Sequence, residues 1–185
     1  MGAPLKADVT LSQFVVVDVQ SRLAAVMPAD AMQALVKNCS ILAQAARLLG
    51  VAVIVTEQYP KGLGHTVPEL SAFIPDVHPV EKTAFSCVAE SRFKRQLTGD
   101  HSQIILAGME AHICVVQTAL DLIASGKQVF VVEDAVISRA PANKLNALAR
   151  MRDAGCVITN TESVVFEWLG VAEGEVFKTV SKLIR

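Results

Sequence analysis

Long uninterrupted apolar runs are missing from this 185-residue chain, although 52% of its residues are hydrophobic and its mean hydropathy is +0.42. Asp18, Gln20, Gln117 and Asp121 break the stretches in which a span would have to lie. A bilayer helix needs about 20 apolar residues in succession, so no membrane partner is expected. An excess of either charge is also missing. Seventeen basic and eighteen acidic residues give a net charge of -1, and the lone basic cluster, Arg92, Lys94 and Arg95, reads as the solvated face of a short helix. Nucleic-acid binders carry a broad basic footprint, so no nucleic acid is expected either. The four cysteines, Cys39, Cys87, Cys114 and Cys156, form no C-x-x-C pair. That speaks against a zinc site or a disulfide framework and for reduced thiols in the cytoplasm. The opening MGAPLKADVT lacks the apolar centre of a secretory leader, and Lys6 stands where a myristoylation site wants Ser or Thr.

What is present is strand-helix alternation. Length allows one core and hence one domain over 1–185. Strands are expected at Phe14–Val19, Val51–Thr56, Gln103–Ala107, Gln128–Val132 and Cys156–Thr159, with a short extended piece at Pro79–Lys82. Helices are expected at Asp30–Leu49 with Gly50 as its stop, and at Glu90–Leu97, His112–Ala124, Pro141–Ala154, Glu162–Leu169 and Glu173–Leu183. Residues 57–78 read as loop. This pattern predicts an α/β fold, a three-layer αβα sandwich with a mostly parallel, Rossmann-like central sheet. Strands covered on both faces account for the apolar excess. Buried subunit contacts would add to it, so a homo-oligomer is expected.

Ligands of open parallel sheets bind beyond the carboxyl ends of the strands. Asp18 stands there after three valines, where a carboxylate needs a partner. Turn or cap residue is the competing reading. Cys114 falls in the first turn of an expected helix after a strand, where N–H groups and the helix dipole favour thiolate. A small buried hydrophobe is the competing reading there. Cys39, Cys87 and Cys156 lack that placement and read as structural. Lys82, ordinarily a solvated type, could steady the carboxylate or favour thiolate.

Three segments carry a family resemblance: Phe14-Val-Val-Val-Asp18-Val-Gln20, Glu81-Lys82-Thr83-Ala-Phe85-Ser86 and Gly108-Met-Glu-Ala-His-Ile-Cys114-Val115. Over about residues 11 to 170 the chain resembles the isochorismatase-like cysteine hydrolases. Thr56-Glu-Gln-Tyr-Pro-Lys-Gly-Leu-Gly64 is similar to the subgroup of isochorismatase-domain-containing proteins. The resemblance implies a catalytic triad of nucleophile Cys114, base Asp18 and linking cation Lys82. It also implies a cis peptide at Met109–Glu110 that directs the Glu110 and Cys114 N–H groups at a substrate oxyanion. Gln58, Tyr59, Phe85 and His112 are candidate pocket walls. Nicotinamidases of this superfamily hold a metal through Asp-x-His and a further His. Here Glu57-Gln58-Tyr59 occupies that place, so neither metal nor cofactor is expected, and nicotinamide is disfavoured as substrate. His112 stands where relatives often have Asp. True isochorismatases lack the nucleophilic cysteine, which disfavours isochorismate. The expected function is hydrolysis of a small amide or related C–N acyl substrate through a thioester. A catalytically silent domain serving as a homo-oligomeric interaction module is the alternative. Nucleotide binding is set aside, because Gly62-Leu-Gly64 lacks the third glycine of the fingerprint.

Overall fold

The computed structural model describes residues 5–184; the outermost positions of the expected 1–185 domain, and the first residues of its opening segment, lie outside them. β1 (Ser12–Val17) leads through α1 (Ser21–Ala24) to the long α2 (Ala29–Leu49), and Gly50, at φ 76°, closes that helix. β2 (Ala52–Gln58) is followed by the single turns α3 (Pro60–Leu63) and α4 (Pro68–Ser71), then by β3 (Val80–Lys82) and α5 (Ser91–Gln96). The second half runs β4 (Gln103–Met109), α6 (Val116–Ala124), β5 (Gln128–Ile137), α7 (Pro141–Asp153), β6 (Val157–Thr159), α8 (Thr161–Leu169) and α9 (Gly174–Val180).

All six strands form one parallel sheet in the order β3-β2-β1-β4-β5-β6. Period-two alternation splits the central strands between two cores. Phe14, Val16, Ile105, Phe130 and Val132 face α2 and α8 with Leu35, Leu42 and Trp168. Val15, Val17, Ile104, Leu106, Val129 and Val131 face α6 and α7 with Leu122, Leu148 and Met151. These side chains are almost wholly buried, and each contributes roughly 1.5–3 kcal/mol of transfer free energy. The high hydropathy therefore fills a two-sided sheet, as expected. Among the described residues no helix is long and apolar enough to cross a membrane.

The differences from expectation lie at element ends. β5 continues to Ile137, because the exposed Glu133 and Asp134, which read as loop, sit at a register shift against β4. The 57–78 segment carries two helical turns, each begun by a proline suited to a first helical position. The last helix changes to a 3₁₀ turn at Ser181–Ile184.

The sheet order reverses direction between β1 and β4, and the carboxyl ends of these neighbours make the crevice where doubly wound folds bind ligands. Gly108 permits their close approach. At φ 121° it presses on β1, and a Cβ added there would collide with the Val17 carbonyl oxygen.

Candidate active site

Asp18 is the first residue beyond β1 and bends the chain with a left-handed φ of 51°, a conformation that Asp tolerates better than most residues. Its backbone N–H donates to the Thr56 carbonyl on β2 (3.1 Å). Lys82 ends β3, two strands away. Its Nζ lies 2.7 Å from Asp18 Oδ2, and both side chains are fully buried. A buried ion pair holds only if its remaining hydrogen-bonding capacity is met. Lys82 Nζ also donates to Gln58 Oε1 (2.6 Å) and to the carbonyls of Phe85 (3.0 Å) and Ala84 (3.2 Å). Asp18 Oδ1 accepts from the Thr56 hydroxyl at 2.7 Å. Burial pushes the Lys82 ammonium towards neutrality, but the attraction of Asp18 and the two nearby thiols outweighs it and holds its pKa above the ordinary value.

Cys114 reaches this pair from β4. Its segment, Ala111–Val115, is one π-helical turn, closed by Val115 N–H donating to the Glu110 carbonyl (3.2 Å), and α6 continues from Val116. The thiol therefore sits in a widened turn ahead of the α-helix rather than in the first α-helical turn, and such insertions are frequent at functional sites. Cys114 retains 6% exposure, and the Asp18 carboxylate lies close enough to act on its thiol. Burial, then the Asp18 charge, push the thiol up to about 12, with Lys82 opposing. This corrects the expectation of a resting thiolate: burial, then the nearby carboxylate, outweigh the helix end and keep the proton on sulfur.

The bond between Met109 and Glu110 is cis. Glu110 is buried, and its carboxylate accepts from the Arg139 backbone N–H (3.0 Å) and pairs with Arg139 Nε (3.1 Å). His112 Nδ1 is 2.9 Å from Ser138 Oγ and 4.0 Å from Glu110 Oε2, so this ring is tied to the end of β5. Gln58 is committed as a brace: its carbonyl holds Lys82 and its amide donates to the Thr83 carbonyl (2.8 Å). Tyr59 and Phe85 expose more than half their surface beside Lys82. Tyr59 has φ 37° and walls a cleft of about 330 Å³ with Lys61, Glu81, Lys82, Thr83 and Glu90.

Three side chains of this cluster escaped the sequence reading. Thr56 touches Asp18, and Cys87 touches Thr56, its Sγ 3.7 Å from Oγ1. Thr118, one turn beyond Cys114, accepts the Cys87 N–H at 3.0 Å. Thr56 was detectable in principle, as a polar residue after an apolar run at a strand's carboxyl end. Cys87 and Thr118 carried no such signal, because their meeting depends on how the loop after β3 packs on α6.

A second corner differs. Near the end of β2, Glu57 takes Thr66 N–H (2.7 Å) and Thr66 Oγ1 (2.8 Å) on Oε1, and pairs with His65 Nδ1 (2.9 Å) through Oε2. Burial alone would raise the Glu57 carboxyl, but these hydrogen bonds hold it below the usual range. Among the described residues no three His, Cys, Asp or Glu side chains gather as metal ligands. Glu57, with its oxygens already engaged, is a poor substitute for the nicotinamidase ligand set.

Fold and site together define a class: a doubly wound α/β domain with carboxylate, ammonium and thiol at its switch point. The chain belongs to the isochorismatase family, the Isochorismatase domain matching residues 12–163. Isochorismatase domain-containing protein 2 of Danio rerio is 43% identical over 150 residues, 80% of this chain and 75% of that protein. The structure entitled MAR1 ribonuclease from Caenorhabditis elegans is similar with a TM-score of 0.91 and 37% identity, covering 97% of this chain and 92% of that one. YcaC from Pseudomonas aeruginosa, solved with hexane-2,5-diol and covalent acrylamide, gives a TM-score of 0.87 and 26% identity over 96% and 91% of the two chains.

Proposed function

We propose that the protein is a cysteine hydrolase of small amides or related C–N acyl compounds. The observation that carries this reading is the buried Asp18–Lys82 pair at 2.7 Å with the Cys114 thiol set against the same carboxylate. A base must lie near the proton it takes, and Asp18 is the carboxylate whose charge acts on the Cys114 thiol. In the first half-reaction the Cys114 Sγ attacks the substrate carbonyl carbon as its proton passes to Asp18. The oxyanion is received by the Glu110 and Cys114 backbone N–H groups. Collapse breaks the C–N bond, and the amine leaves with the proton from Asp18, giving a thioester. Water then attacks the thioester, giving a proton to Asp18. The acid departs, and the proton returns to sulfur. Lys82, paired with Asp18 at 2.7 Å, balances the negative charge that passes between carboxylate and sulfur.

Two features make a small amide the favoured substrate. The reacting groups are buried, with Cys114 only 6% exposed, so a compact acyl group reaches sulfur where a polymer would not. YcaC, on the same fold, carries a covalent adduct of acrylamide, itself a small amide and an electrophile. The ribonuclease name of the Caenorhabditis elegans neighbour offers a second reading. The near-neutral charge of this chain lacks the basic footprint that a nucleic acid needs.

The test is intact-mass analysis of wild-type and Cys114→Ala protein after incubation with a pool of small amides, with amine release followed in parallel and a short RNA as control. An acyl mass on the wild type alone, localised to Cys114, supports the proposal. Amine release that persists in Cys114→Ala, or cleavage of the RNA without any acyl mass, would sink it. A silent domain retained as a homo-oligomeric module predicts neither adduct nor product.

A further inference from the structure

Chemistry fixes the direction of the hydrogen bonds around Asp18. An ionised carboxylate only accepts, so the Thr56 hydroxyl donates to Asp18 Oδ1. That uses the hydroxyl's single proton, so the Cys87 thiol donates in turn to Thr56 Oγ1. The relay from Cys87 through Thr56 to Asp18 is shut from solvent, all three residues being 0% exposed. Its far end is anchored to α6, the helix that follows the Cys114 turn: Cys87 N–H bonds Thr118, and Ser86 Oγ donates to Asp121 Oδ2 at 2.6 Å.

In the proposed function one proton passes between Asp18 and Cys114. It can sit on sulfur beside a carboxylate, or on the carboxyl beside a thiolate. The titratable groups facing Asp18 are Lys82 at the end of β3, Cys87 in the loop that follows and Cys114 in the π-turn. The Lys82 charge attracts carboxylate and thiolate alike, so it favours ionisation without choosing the site of the proton. The Thr56 hydroxyl bonds only the carboxylate, and a donor aimed at one anion favours that anion.

We infer that Thr56 is a positioning residue that keeps the shared proton on the Cys114 sulfur until substrate arrives, by donating to Asp18 Oδ1 while accepting from Cys87. The inference rests on the Asp18–Cys114 pairing of the proposed function. Its consequence is a nucleophile that is sheltered from stray electrophiles at rest and whose base is fixed in one orientation.

The probe is iodoacetamide at neutral pH, with alkylation at each cysteine followed by peptide mass spectrometry. Thr56→Val removes the hydroxyl and preserves shape. Cys114 should then alkylate about tenfold faster, the value of roughly one hydrogen bond to a charged group, while Cys39 and Cys156 keep their rates. Thr56→Ser should restore the wild-type rate. An unchanged Cys114 rate overturns the assignment. So does equal acceleration of all four thiols, the mark of a loosened fold, or a Ser variant that behaves like Val. Should Thr56→Val not fold, Cys87→Ala, which frees the hydroxyl to turn away, must raise the Cys114 rate at least about twofold; no rise overturns the assignment. An absent acyl adduct in the wild type defeats the hydrolase reading and leaves this readout untouched, so the two claims fail separately.

Discussion

Two of the buried carboxylates at the carboxyl edge of this sheet, Asp18 and Glu57, have different surroundings. Asp18 after β1 meets Thr56 on one oxygen and Lys82 on the other, with the Cys114 thiol against it. Glu57, in β2, is engaged by Thr66 on one oxygen and His65 on the other. Both satisfy the rule that buried charges need partners. The difference lies in the partners. In the proposed mechanism Asp18 exchanges a proton with the attacking thiol, whereas Glu57 fastens its own loop. Burial marks a carboxylate as important, and its neighbours decide whether it is chemistry or architecture.

Substitutions can break that contrast. The largest effect belongs to Cys114→Ala: turnover of any amide found as substrate should fall at least about a thousandfold, with the melting temperature nearly unchanged. Next is Lys82→Met. It leaves Asp18 charged and unpaired in a dry site, which costs about 3–5 kcal/mol when one partner of a buried pair is removed, so chemical denaturation should show a marked loss of stability along with lost activity. Glu57→Gln should be milder, about 1–2 kcal/mol for weakened hydrogen bonds, with turnover within about threefold of wild type. Equal loss of activity at Glu57 and Asp18 would erase the distinction drawn between them.

The smallest effect concerns pH. Hydrogen bonding to Glu57, then its charge, raises the His65 pKa, and His65 in turn helps to lower that of Glu57. The His65 contribution is fully present below the unfolded histidine value of about 6.5 and fades as pH rises through its raised folded value. The Glu57 contribution is present above the unfolded carboxylate value of about 4.3 and fades as pH falls through its lowered folded value. Hydrogen exchange at the Thr66 amide should therefore be slowest between those two limits. A flat profile would show that His65, whose side chain is 80% exposed, contributes nothing.

Much of this was legible in the sequence, and the reasons are physical. Parallel strands buried on both faces write themselves as runs such as Phe14-Val-Val-Val17, so the α/β class followed from composition and alternation. Asp18 and Cys114 announced themselves by lying at strand ends where packing has no use for a charge or a reactive group. The resemblance supplied Lys82, which alone reads as one more solvated lysine. Element ends were less legible. Glu133 and Asp134 look like a loop and are a register shift inside β5, and no sequence period distinguishes the π-turn at Ala111–Val115 from the first turn of an α-helix. The thiol's proton was the least legible feature of all. The helix end suggested thiolate, whereas burial and then the Asp18 charge, visible only in three dimensions, oppose it.

The central claim is that carboxylate, ammonium and thiol form one electrostatic unit. Titrating the Cys114 thiol in wild-type and Asp18→Asn protein, by alkylation rate against pH, tests it most directly. The account predicts that the wild-type thiol, held up to about 12 by burial and the Asp18 charge, titrates at distinctly lower pH once the charge is gone and Lys82 remains, even though hydrolysis is lost. A Cys114 titration that stays where it was, or moves upward, would contradict it.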